Sequence, residues 1–204
     1  MPRPRSLTTA DLATAALTVI DRDGLPGSTM RAVAKELRVA TMALYRYVPD
    51  RDALEVLVVD QVLGTVDLTV PAGEWRDRMR TLLDRMRLAV CAHPAVVPLL
   101  MRHRQSAQGT LRLIEAMLVI LAAAGFTGRD RVIAQRALIA YLLGFLQNEH
   151  FAALAGPGTA AMAELDPADY PYLSETAAAA TTLTPDAEFH GGLDAVLRGL
   201  AAPD

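Results

Sequence analysis

The chain has 204 residues, 20 Lys and Arg against 23 Asp and Glu for a formal net charge of −3, and a single cysteine. That length permits one large domain or two modest ones whose core needs no disulfide or metal, and Cys91 alone cannot form an intramolecular bridge. No uninterrupted apolar run is long enough to span a membrane, and "MPRPRSLTT" lacks a signal-peptide core, so membrane and export readings are set aside for a cytoplasmic one.

Hydrophobic spacing predicts helices almost throughout. Thr9 is expected to cap a first helix carrying Leu12, Ala15, Ala16, Val19 and Ile20 on one side, ended by Gly24, Pro26 and Gly27. Thr29 caps a second, with Val33, Ala34 and Leu37 inward. After "RVA" a third begins near Thr41, holds Leu44 and Val48, and is stopped by Pro49. Asp50 then caps a fourth, whose stripe of Leu54, Leu57, Val58, Val62 and Leu63 runs to about Thr65. Further helical patterns recur at 74–92, 95–104, 108–124, 129–154 and 186–201, and little reads as strand. Residues 156–185, with "AGPG", "DPADYPY" and "AAAATTLTP", read as a long connection holding short helical pieces. The fold class is therefore all-α. A three-helix N-terminal domain, 1–50, is joined by the fourth helix to a larger helical domain, 51–204.

Charge is unevenly placed. Residues 1–51 hold seven Arg and Lys35 against five acids, +8 − 5 = +3, so the remainder carries −6. A basic quarter on an acidic protein suits a polyanion. Two short helices joined by a tight turn can present the second to the major groove of double-stranded DNA. The third helix offers Thr41, Met42 and Ala43 at its start, then Tyr45, Arg46 and Tyr47, while Leu44 and Val48 turn inward. Arg31 and Arg51 flank it from neighbouring helix starts, where Thr29 can also give its hydroxyl to a phosphate. Arg3 and Arg5 stand on a Pro-interrupted arm of the kind that reaches along a groove. The bland alternative is a pair of packed amphipathic helices, with the tyrosines half-buried.

The stretch "GLPGSTMRAVAKELRVATMALYRYVPDRDAL" resembles the helix-turn-helix of the TetR-type transcriptional repressors. In that family an "A-x-x-L-x-V" turn precedes "LY-x-aromatic-V/F" and a basic residue opens helix four. "HPAVVPLLMRH", "LRLIEAMLVILAAAGF", "AYLLGFLQNEH" and "FHGGLDAVLRGL" resemble the ligand-binding and dimerisation domain of the tetracycline-repressor branch, so the likeness covers nearly the whole chain. It implies a homodimer that binds a near-palindromic operator, represses, and is released by a small-molecule inducer. Two departures stand out: Arg38 where many relatives have Gly in the turn, and Arg51 where Lys is common.

The dimer interface is expected from Leu138, Leu142 and Leu146 on one helix and Phe189, Leu193 and Leu197 on another, Gly191 and Gly192 allowing close approach. The other reading of both stripes is that they face the chain's own core. Leu63, Met86, Met117, His103, Gln147 and Asn148 are the candidate ligand-binding residues, the first three apolar and adaptable, the others orienting. Met in a helical stripe is also ordinary core, and His103 between two arginines is also an ordinary solvated helix end.

The family's tetracycline binders hold a magnesium–drug complex with His and Glu. The acid in "LGFLQNEH" does not fall at that position, so neither tetracycline nor magnesium is carried over. No cofactor, metal site or catalytic constellation is expected: the four histidines are scattered without metal-ligand spacing, and no phosphate loop, dinucleotide fingerprint or nucleophile elbow occurs. The rival functions are a transcriptional activator, a small-molecule-binding helical protein without repressor activity, and an all-helical enzyme.

Overall fold

The computed structural model describes residues 7–200, so the expectation for Arg3 and Arg5 lies outside the described residues. These residues form eleven α-helices and no strand. They group into two compact units, one built from the chain up to Val70 with Asp84–Met117, the other from Pro71–Leu83 with Leu118 onward. Among the described residues no single helix is long and apolar enough to cross a membrane.

In the first unit, α1 (Thr9–Gly27) starts one residue earlier than expected. Thr8 is the cap: its hydroxyl accepts from the Asp11 N–H at 3.1 Å, and the Asp11 carboxylate accepts from the Thr8 N–H at 2.8 Å. Leu12, Ala15, Ala16, Val19 and Ile20 are buried as their spacing requires. Gly24, at φ 71°, breaks the helix where its end is expected, and a last turn follows. α2 (Met30–Glu36) is capped by Thr29, whose hydroxyl oxygen accepts from the Ala32 N–H at 3.1 Å.

The turn after α2 is a Schellman arrangement. Val39 N–H donates to Ala34 O at 3.0 Å and Arg38 N–H to Lys35 O at 3.1 Å. That geometry requires a residue in the left-handed region, and Arg38 has φ 56°, the only non-glycine so placed among the described residues. A non-glycine there costs of order 1 kcal/mol. Arg38→Gly is therefore expected to raise the unfolding free energy by up to about 1 kcal/mol in urea titration. A loss of stability would mean that the arginine side chain contributes more than its backbone strain removes.

α3 is shorter than expected. It covers Thr41–Leu44, and Tyr45–Tyr47 follow as a turn closed by Tyr47 N–H to Leu44 O (2.9 Å) and Val48 N–H to Leu44 O (3.1 Å). Leu44 and Val48 are buried and fix this turn on the unit's core. α4 (Arg51–Leu63) is capped by Asp50, whose carboxylate accepts from the Ala53 N–H at 2.8 Å. α1 packs against α4 and α2, α2 against α3, and α4 against α6 (Val97–His103), which a 3-10 turn at Pro94–Val96 precedes. His93 Nδ1 lies 2.8 Å from Asp21 on α1. α5 (Trp75–Cys91) and α7 (Gln108–Ala123) each have residues in both units.

In the second unit α8 (Gly128–Ala152) packs against α11 (Pro185–Gly199). Phe189 is the centre of that contact: its ring meets Phe145 edge-on at 5.0 Å and Tyr141 at 5.8 Å, and the Tyr141 hydroxyl donates to Phe189 O at 2.7 Å. Arg76 donates to Leu197 O (3.0 Å) and Leu200 O (2.9 Å), satisfying carbonyls at the α11 C-terminus. Gly192 is required here, because a Cβ would stand 2.8 Å from two carbons of the Tyr141 ring.

The stretch expected as a long connection with short helical pieces holds two short helices, α9 (Pro157–Ala163) and α10 (Pro171–Ala180), which pack on each other. Pro157 and Pro171, which look like breakers in the sequence, stand at the first helical position, where a missing N–H is harmless.

Candidate nucleic-acid interface and dimer face

The residues from Thr29 to Arg51 that are expected to touch DNA all belong to the first unit. Arg31 is exposed on the first turn of α2; Thr41, Met42 and Ala43 lie on α3; Tyr45, Arg46 and Tyr47 form the turn after it. Met42 is 74% exposed although it sits beside fully buried Leu44, and Tyr45 and Arg46 are also exposed. Thr41 and Tyr47 are half-buried, as is Ala43. An exposed methionine and tyrosine flanked by arginine on a single helical turn give apolar and cationic contact at once, the mixture that base edges and phosphates require. The Thr29 oxygen is used in its cap, but its O–H remains available as a donor. Arg22, by contrast, is engaged: Asp23 and Glu36 hold its guanidinium well above its ordinary range.

Arg51 is exposed but tied back. Its Nε donates to Glu55 at 2.8 Å and its terminal nitrogen to Leu25 O at 3.2 Å. Glu55, which no sequence motif singles out, is buried on α4 and also receives Arg102 at 2.9 Å and His103 Nε2 at 2.9 Å from α6. Only the four-residue spacing of Arg51 and Glu55 is a local signal; the other partners lie 47 and 48 residues away. Asp52, Glu55 and His103 bring ligand-type atoms within 4.8 Å of one another, with both Glu55 oxygens already facing cationic or N–H groups.

Burial alone would raise the Glu55 pKa. The hydrogen bonds from His103 and Arg51 and the charges of Arg102 and Arg51 outweigh it, leaving the carboxyl below its ordinary 4.5. A depressed folded value gives stability that is present above the unfolded pKa and lost as pH falls through the folded one. Urea midpoints are therefore expected to fall on acidification below about pH 4.5, and less steeply in Glu55→Gln. Parallel acid profiles for the two proteins would show that Glu55 does not carry this dependence.

The six residues expected at a dimer interface do not face outward. Leu138, Leu142, Leu146, Phe189, Leu193 and Leu197 are all at most 1% exposed within the single chain, which assigns them to its own core. Apolar periodicity marks the buried face of a helix without saying what covers it. The opposite faces of the same helices are uncovered and small. Ala187, Gly191, Ala195 and Gly199 recur every four residues along α11, all exposed, and Ala140 and Gly144 line α8. A groove of about 350 Å³ borders Ala140 and Gly144, lined also by Tyr141, Phe145 and Asn148 of α8 and by Glu188 and Gly192 of α11. Burial and the nearby Glu149 charge push the Glu188 carboxyl up.

Of the candidate ligand residues, Leu63, Met86, His103 and Met117 are buried in the first unit, His103 with its Nε2 turned to Glu55. Gln147 and Asn148 are exposed on α8 in the second, and Asn148 borders the small-residue groove.

A relative from Saccharopolyspora erythraea named HTH-type transcriptional regulator is 32% identical over 149 residues, 72% of this chain, which spans 63% of that relative's length. HTH-type transcriptional repressor DrrR1 from Streptomyces coeruleorubidus is 27% identical over 98% of the chain and 78% of its own length. A crystal structure of a possible TetR family transcriptional regulator from Streptomyces coelicolor A3(2) superposes with a TM-score of 0.84 at 26% identity, covering 94% of this chain and 98% of that one. Residues 69–203 match the family described as tetracyclin repressor-like, C-terminal domain. With that match over most of its length and a helix-turn-helix ahead of it, the chain belongs to the tetracyclin-repressor-like family.

Proposed function

We propose that the protein is a cytoplasmic ligand-responsive repressor that acts by binding rather than turnover. A homodimer holds a two-fold symmetric operator and lets go when a small molecule binds. Residues 1–50 form the DNA-binding head and 51–204 the ligand-binding and dimerisation region. The observation that carries this reading is the exposed α3 turn, whose Met42, Tyr45 and Arg46 stand out from a fully buried Leu44 beside the exposed Arg31. Membership of a repressor family and a relative named as a repressor support the sign of regulation. The copies meet through the small faces of α8 and α11, where glycine and alanine let helices approach closely.

Release by a ligand requires that it prefer the arrangement that does not bind DNA. A ~100-fold loss of operator affinity corresponds to ~2.7 kcal/mol of coupling, and the operator must weaken ligand binding by the same factor. Selection from random duplexes tests the DNA half of this reading. It is expected to recover an inverted repeat bound by two chains, with half-sites about one helical turn apart or a multiple of it. Recovery of no sequence above background would contradict it.

A further inference from the structure

The geometry points to Glu55 as a positioning residue for DNA binding. Resting on the repressor reading, we propose that Glu55 holds Arg51 back from the operator backbone, and that Arg102 and His103 set how readily it lets go. Glu55 Oε1 faces Arg51 Nε at 2.8 Å, while Oε2 is shared by Arg102 and His103 Nε2, each at 2.9 Å. The Glu55 side chain is 4% exposed, but those of Arg51 and Arg102 are 44% and 56% exposed. The carboxylate therefore stays and the arginines are the parts that can move. A buried carboxylate stripped of all partners is strongly disfavoured, so the departure of Arg51 requires that the other two remain. They approach the other oxygen and lie on a different helix, so neither competes with Arg51 for the same acceptor atom. The second anchor of Arg51, the neutral Leu25 carbonyl at 3.2 Å, is the weaker one. A phosphate offers the same forked guanidinium the anionic acceptor that Glu55 now supplies. Arg51 is thus shared between an internal carboxylate and an external anion, and whatever strengthens Arg102 and His103 on Glu55 frees it.

The test is the salt dependence of binding to a random-sequence DNA duplex, measured with the full-length protein. Each phosphate that a side chain neutralises adds about 0.9 to the steepness of log K against log salt, a readout that a loss of folding does not mimic. Glu55→Gln keeps the side-chain shape and removes the charge. It is expected to bind several-fold tighter at low salt, with a slope steeper by a part of the ~0.9 that one full phosphate contact per chain is worth, and to lose that gain when combined with Arg51→Ala. Arg102→Ala, at an exposed position, is expected to do the reverse: weaker binding and a shallower slope. If Glu55→Gln proves too unstable, the Arg102→Ala slope alone decides. Wild-type slopes in both variants would overturn the role of Glu55 while leaving DNA binding in place. A wild-type protein that does not bind duplex DNA would overturn the repressor reading as well.

Discussion

Leu142→Asp and Gly144→Arg, two residues apart on α8, are expected to fail in opposite ways. Leu142 is fully buried against the core shared with α11, so an aspartate there has neither water nor a partner. Burying such a charge costs several kcal/mol, a large share of the roughly 5–15 kcal/mol that holds a typical protein folded. The variant should lose its cooperative thermal transition and be recovered mainly as aggregate. At Gly144, by contrast, an added Cβ meets no atom within 4 Å. An arginine there improves helix propensity by about 0.5–1 kcal/mol and leaves the monomer intact. It also sets a guanidinium in the small-residue groove and should separate the two copies. Sedimentation is expected to show a folded monomer, with operator affinity reduced by orders of magnitude because two half-sites are no longer engaged together. A folded dimer in Gly144→Arg would place the interface elsewhere.

Arg31→Ala is expected to weaken the selected operator by about 1–3 kcal/mol in each half-site and to relax the preference at one base position. Two half-sites double that, so the dimer loses between roughly tens and tens of thousands of fold, at about 1.4 kcal/mol per factor of ten. Arg22→Ala is the matched control. Arg22 is equally cationic but already held by Asp23 and Glu36, and its removal should change affinity little. Similar losses for both substitutions would show that charge alone, and not the reach of Arg31 beside α3, governs binding.

Most helix boundaries in the first unit were legible because their causes are local, although α3 ends at Leu44 instead of running to Val48. Thr29 and Asp50 cap as expected, Gly24 breaks the chain where its freedom is needed, and the Arg38 turn takes the positive φ that a missing glycine forewarned. Thr8 rather than Thr9 caps α1 because Asp11 completes a capping box only with Thr8. Three things were not legible. What covers the apolar stripes of α8 and α11 was hidden because apolar spacing is the same for a core and for an interface. Short helical pieces were expected where α9 and α10 lie, but their packing on each other was hidden because spacing within a helix does not name its partner. Glu55 was hidden because the partners that stabilise its charge come from α6, far away in sequence. For the candidate DNA surface, the expected residues from Thr29 to Arg51 are all in one unit, but only the structure shows that Arg51 is already engaged.

The central claim, that α3 and the turn after it read the major groove from both halves of a dimer, is tested most directly by methylation protection of guanine N7 on the selected operator. Guanine N7 lies on the major-groove edge, so it reports that contact alone. The expected result is two protected patches, related by a two-fold axis and about one helical turn apart or a multiple of it, both lost in a protein carrying Tyr45→Ala and Arg46→Ala. Full methylation of every guanine under saturating protein, or protection that survives those substitutions, would contradict it.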